Sequence, residues 1–235
     1  MLLDYLFPKQ SLQGEEGAWM TEEELRELRI VPRIFETSDL RKRGIRSLDR
    51  VFAMSSYHSS PLLKKAIHTF KYRRIPGLAL FLQQELQKSV ESRFPLSATA
   101  VLCPVPLHRF RKFQRGFNQA EMLSRYLSLL SNLPMLLLLR RIRSTGHQTW
   151  RGRKERWKAL KGAFRPSIRS SLWLRATPVF AKATPGRRDD TSMPMPKHVY
   201  LVDDVFTTGA TLEECAKTLK AAGAERVEGI VLAYD

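Results

Sequence analysis

The chain has 235 residues, 43% hydrophobic and 27% charged, with 40 Lys and Arg against 23 Asp and Glu, a formal net charge of +17. That apolar content excludes disorder of the whole chain, and the length allows a large core. The charge excess points to a polyanionic partner: nucleic acid, a membrane surface or a phosphorylated small molecule.

At the start, Asp4 and Pro8 interrupt the apolar residues, so a secretory signal is not expected. Residues 1–48 are almost neutral, with eight basic and nine acidic residues. Thr21-Glu22-Glu23-Glu24 is a capping box and predicts a short helix to about Arg29. Pro32 blocks its continuation, and Arg41-Lys42-Arg43-Gly44 reads as a basic turn. From Arg50 strands and helices alternate. Arg50–Tyr57 predicts a buried strand, Pro61–Lys71 a helix burying Leu62, Leu63, Ala66, Ile67 and Phe70, and Gly77–Val90 a second helix. Thr99–Val105 predicts a strand, and Phe117, Ala120, Leu123, Leu127 and Leu130 one helical face. Met135–Leu139 is another buried strand and the longest apolar run, far short of the roughly 20 residues that span a bilayer. Residues 165–197, with several prolines and no period, read as a long, partly disordered loop. His198–Val202 is a strand, Ala210–Ala222 a helix with Gly223 beyond it, and Val227–Ala233 the last strand. This alternation predicts an α/β domain with a mostly parallel sheet. The two cysteines, Cys103 and Cys215, have neither pairing nor metal-ligand spacing, which fits a reducing cytoplasm.

The segment from Tyr200 to Thr211, YLVDDVFTTGAT, carries the chemistry. A buried strand ends in two carboxylates, and a loop of small residues then opens a helix. Such a loop offers N–H groups and hydroxyls to a phosphate at the positive helix end. Asp203 and Asp204 suit the vicinal hydroxyls of a ribose, or a magnesium ion reached through them. An Asp-Asp pair alone would more often be a solvated turn; the whole arrangement is far more specific. It resembles the phosphoribosyl pyrophosphate (PRPP) signature of the type I phosphoribosyltransferases. By that resemblance the acids hold the ribose 2′- and 3′-hydroxyls, and Thr207, Thr208, Gly209, Ala210 and Thr211 cradle the 5′-phosphate.

Further stretches resemble the ComF family of competence-associated phosphoribosyltransferase-like proteins, which includes GntX-like members. They are Cys103-Pro104-Val105-Pro106-Leu107-His108 with Arg109, Arg111 and Lys112; Arg115-Gly116-Phe117-Asn118-Gln119-Ala120; Arg141-Ile142-Arg143-Ser144-Thr145 with Gln148, Arg156 and Gly162-Ala163-Phe164; and Lys71-Tyr72. The resemblance implies a type I phosphoribosyltransferase fold over 49–235, with a degenerate N-terminal module over 1–48, a hood at 140–164 and a basic insertion at about 165–197. It places the pyrophosphate side at Pro104, Val105, Pro106, Leu107, His108 and Lys71. Catalysis falls to Asp203, Asp204, Arg109 and Arg115, and the hood contributes Arg141, Arg143, Gln148 and Arg156. It implies PRPP with magnesium, an unknown acceptor, release of pyrophosphate and a link to DNA uptake. The alternative is a non-catalytic nucleotide- or single-stranded-DNA-binding protein on the same fold. A homodimer is left open, and no membrane insertion is expected.

Blander readings stand beside these. Pro104 and Pro106 suit a turn, Arg109–Arg115 a solvated basic loop, His108 a structural or solvent-facing role, and Asn118 a helix cap. Where relatives carry zinc-binding cysteines this chain has residues such as Ser11 and Gly14, so no zinc is expected. Ala159 replaces a family Asn, and Arg151 a family Leu; the loss of the Asn bears on catalysis more than on fold. Thr207 stands where purine-base enzymes carry a carboxylate, which disfavours a purine acceptor. Residues 140–161 hold nine basic residues and one acidic, and 165–197 hold seven and two, with Trp150, Trp157 and Trp173 interleaved. Basic residues with aromatic platforms suit single-stranded nucleic acid, or a basic hood closing on a phosphorylated ligand.

Overall fold

The computed structural model describes residues 12, 21, 23–24, 28, 30–58, 61–72, 76–143, 153–167 and 194–235. Ser11 and Gly14, Gln148 and Arg151, and most of the 165–197 insertion lie outside them. At the start, Glu24 accepts from the Thr21 N–H at 2.8 Å and Thr21 Oγ1 from the Glu24 N–H at 3.2 Å, which is the expected capping box.

The central sheet has β1 (Arg33–Phe35), β2 (Arg50–Ser56), β3 (Val101–Pro104), β6 (His198–Phe206) and β7 (Arg226–Tyr234), in the order β1-β2-β7-β6-β3. The last four are mutually parallel and β1 is antiparallel to β2. The helices are α1 (Thr37–Lys42), α2 (Pro61–Tyr72), α3 (Pro76–Arg93), α4 (Arg109–Arg115), α5 (Gln119–Ser131), α6 (Arg153–Leu160) and α7 (Ala210–Ala221). A small antiparallel pair, β4 (Leu139–Arg141) and β5 (Phe164–Pro166), stands apart from the main sheet. This is the α/β architecture that the alternation predicts.

Side chains alternate along each strand, so the sheet builds two cores. On one face Val51, Ala53, Cys103, Leu201 and Val231 meet Leu212, Cys215 and Leu219 of α7 and Leu40 of α1. On the other Phe52, Met54, Leu102, Tyr200 and Ile230 meet α2, α3 and α5. Burying such a side chain contributes about 1.5–3 kcal/mol relative to leaving it exposed. On α5 the expected apolar face holds at Ala120, Leu123 and Leu127, but Leu130 is exposed, because the helix ends one residue later at Ser131.

Three local readings change. The basic turn at Arg41–Arg43 is the end of α1, a helix with a single buried residue, Leu40. Met135 touches β3 through one parallel bridge at Leu102, and the strand proper runs Leu139–Arg141 and pairs with β5. The segment 33–48 is not peripheral: Phe35, Leu40, Ile45 and Leu48 are fully buried in the core, so the boundary expected at 48 falls inside one packed unit.

Candidate functional site

In an open parallel sheet, ligands bind outside the carboxyl ends of the strands. Here a cleft of about 700 Å³ lies at that edge. Each parallel strand supplies part of it: Tyr57 after β2, Val105–Leu107 after β3, Asp203–Val205 and Thr207 from β6, and Asp235 after β7. Helices and the β4–β5 unit close its sides with Lys71, Tyr72, Arg111, Gln114, Arg115, Arg141, Arg156 and Thr211. The volume suits a small-molecule ligand.

Lys71, Asp204 and their neighbours are held by the segment that follows β3. Asn118 caps α5: its side chain accepts from the Ala120 N–H at 3.1 Å and donates to the Val105 carbonyl at 3.1 Å. The next residue, Gln119, donates to the Lys71 carbonyl at 2.9 Å. The Arg115 guanidinium stands over the Tyr72 ring at 5.1 Å. The end of α2 is thereby tied to α4 and α5, and Lys71 Nζ reaches Asp204 Oδ1 at 3.2 Å. Asn118 is thus a cap, as the blander reading has it, and Gln119 a positioning residue.

Cations crowd the cleft. Burial and then Arg115 lower the Arg111 pKa; burial and then Arg111 lower that of Arg141. Arg156 donates to Thr207 Oγ1 at 3.4 Å, which joins α6 to the loop before α7. That loop turns at Gly209, with φ of 78°. A Cβ there would stand 2.3 Å from Ile45 Cδ1 and 2.9 Å from the Phe206 ring, so only glycine fits.

The two central carboxylates are unequal. Burial, then the Asp204 charge, push Asp203 up to about 7, against the opposing effects of the Asp204 N–H at 2.9 Å, Lys71 and Arg141. Since the folded pKa lies above the unfolded value of about 3.9, stability from this group is full below about pH 4 and lost as pH rises through 7. Asp203→Asn is therefore expected to gain melting temperature over the parent chain between pH 5 and pH 8. A difference that stays flat across that range would contradict this electrostatic picture.

Among the predicted site residues, the cleft gathers Lys71, Val105, Pro106, Leu107, Arg115, Arg141, Arg156, Asp203, Asp204, Thr207 and Thr211. Others stand outside its lining. Arg109 is exposed on α4. His108 uses Nδ1 to accept from the Phe110 N–H at 3.3 Å, a turn role. Arg143 is exposed and donates to the Lys161 carbonyl at 3.1 Å. Pro104 is buried at the end of β3, Gly209 and Ala210 are buried, and Thr208 Oγ1 accepts from the Ala210 N–H at 3.4 Å. The cleft adds Tyr57, Tyr72, Arg111, Gln114, Val205 and Asp235. Arg111 was within reach of sequence reading: it stands four residues before Arg115, so once α4 is a helix the two share a face. Asp235 had no sequence signal of its own.

The buried thiols take no visible part in this. Burial pushes Cys103 up to about 12 and Cys215 well above its ordinary value, so neither is a ready nucleophile. For magnesium the donors are all oxygen, which fits a hard cation. Among the described residues no group of three or more His, Cys, Asp and Glu gathers for a metal, so such an ion would depend on ligand oxygens and water as well as on Asp203 and Asp204. No helix among the described residues is long and apolar enough to cross a membrane.

Comparison with known proteins agrees with this geometry. The phosphoribosyl transferase domain matches residues 115–235, from α4 through the phosphate loop to the end of the chain. The chain is 34% identical over 134 residues to Competence protein F of Haemophilus influenzae, covering 57% of this chain and 49% of that protein, so it spans about half the length of that relative. It is 30% identical over 185 residues to DNA utilization protein YhgH of Salmonella typhi, covering 76% and 69%, and 24% identical over 169 residues to Competence protein ComFC of Bacillus subtilis, covering 72% and 58%. By the match over 115–235 and by these relatives, the chain belongs to the phosphoribosyl transferase domain family and, within it, to the ComF-like proteins.

Proposed function

We propose that the cleft binds PRPP with magnesium and transfers its phosphoribosyl group to an acceptor, releasing pyrophosphate. The observation that carries this reading is the convergence of Lys71, Arg111, Arg115, Arg141 and Arg156 on one cleft with Asp203, Asp204 and the phosphate loop. A polyanion attached to a vicinal diol matches that division of charge. Asp203 and Asp204 accept from the ribose hydroxyls. Thr207 and Thr211, at the positive end of α7, hold the 5′-phosphate. Arg111, Arg115 and Lys71 offset the charge that grows on the departing pyrophosphate. Magnesium, when bound, neutralises part of the same charge. The reacting carbon passes through an oxocarbenium-like state, so the protein's work is positioning and electrostatics.

Calorimetry with PRPP and magnesium tests this. Binding is expected, and Arg111→Gln is expected to weaken it at least about tenfold, the scale of one charge-assisted hydrogen bond. No binding by the parent chain would end the reading. The names of the relatives supply the wider setting: a role in competence or in the use of DNA.

A second reading, binding of single-stranded DNA without turnover, is favoured by one observation. Arg140, Arg143, Lys154, Lys158 and Lys161 are exposed on the hood and Arg165 just beyond it, and Phe110 and Phe113 of α4 are exposed nearby in sequence to Arg111. Phosphate tracking with stacked bases would make binding fall steeply with salt. A salt series with an oligonucleotide checks it, and a flat response would remove it.

A further inference from the structure

The cleft is asymmetric along the sheet. Its β3 side carries Arg111 and Arg115, with Lys71 held there by Gln119. The ribose acids sit at the middle, on β6. Its β7–β2 side carries Tyr57 and Asp235 and none of the cations that line the cleft after β3. A leaving polyanion belongs with the cations and shields the face of the sugar that it leaves. The incoming acceptor must then approach from the other side, where Asp235 is, among the described residues, the only lining carboxylate besides Asp203 and Asp204.

Asp235 is held as a base needs to be held. Its N–H donates to the Phe206 carbonyl at 2.9 Å, and its carbonyl accepts from Arg43 at 3.3 Å. Its Oδ1 meets His58 Nε2 at 2.8 Å. His58 in turn packs edge-on to Tyr57, with ring centroids 5.7 Å apart. The carboxylate is nevertheless half exposed, at 50%, so a second ligand can reach it.

We propose that Asp235 is the general base that takes the acceptor's proton, with His58 as its positioning residue. This rests on the phosphoribosyl-transfer reading above. The acceptor is any nucleophile X–H with an N–H or O–H. Its lone pair forms the new bond to the anomeric carbon. The bond from that carbon to the pyrophosphate oxygen breaks, and its electron pair leaves with pyrophosphate. The proton from X passes to the Asp235 carboxylate and then to water. A carboxylate that the Thr207 position does not offer is thus supplied from the next strand.

Because the acceptor is unidentified, the probe is PRPP with magnesium and water as X–H, with pyrophosphate release followed by phosphorus NMR. Asp235→Asn is expected to lower kcat at least about 100-fold, the ordinary range of a lost general base, with PRPP affinity unchanged. His58→Gln is expected to lower kcat about tenfold, with KM for PRPP and melting temperature unchanged; a merely structural histidine would not divide its effect that way. Release by Asp235→Asn at the parent rate would overturn the proposal. So would PRPP binding by the parent chain with no release, which leaves the binding reading intact. No PRPP binding at all would remove both.

Discussion

Asp203→Asn with Asp204→Asn is expected to weaken PRPP binding by roughly 10²–10⁴-fold, because two charge-assisted hydrogen bonds of about 1.5–3 kcal/mol each are lost. The double change also frees Lys71, which pairs with Asp204 at 3.2 Å in this structure. Bare pyrophosphate should therefore bind as tightly as before or more tightly. The opposite shifts of the two ligands separate loss of the ribose contacts from general damage to the cleft, which would weaken both. Calorimetry with each ligand in turn is the measurement. A double variant that binds PRPP normally would show that the acids do not hold the sugar.

The second large effect lies at the other end of the strands. Glu228 is fully buried and ringed by Arg50 at 2.5 Å, His198 at 2.8 Å and Arg226 at 2.9 Å. Burial opposes its ionisation, but the bonds from Arg226, Arg50 and His198 prevail and hold the carboxyl below its usual range. Glu228→Ala leaves Arg50 and Arg226 beside an uncompensated buried space and is expected to cost about 3–5 kcal/mol. For a domain of this size that lowers the melting temperature by about 6–20 °C. The sign with pH follows from the depressed value. The contribution is present above the unfolded carboxyl pKa of about 4.3 and is lost as pH falls through the lower folded one. The gap between parent and variant should thus narrow in strong acid, while PRPP affinity of the folded variant stays unchanged. A melting temperature within about 2 °C of the parent at neutral pH would refute the account.

Much of this was readable in the residues. Strong periods fix α2, α5 and α7, and the segment around Asp203–Thr211 announces its own chemistry, because a strand, two acids and a glycine turn are all local. Elements held by tertiary contacts were not readable. α1 has one buried residue and several charges, so its local pattern is that of a turn, and only its contact with β1 and the burial of Leu40 make it part of the core. The choice of Arg109 over Arg111 has the same origin: without a helix over 109–115 there is no face on which to sort the arginines. Asp235 becomes notable only when β7 pairs beside β6 and sets it at the cleft.

The three residues of β1 have a further consequence. They pair antiparallel with β2 along Val51–Ala53, at the open margin of the sheet. Cutting the chain between Phe35 and Arg50 would uncover a row of backbone donors and acceptors on a strand rich in Val, Phe, Ala and Met. Such a margin is a template for another chain. The shortened protein should be lost to self-association during expression, and the lost material would carry the β-rich signature of edge-to-edge stacking.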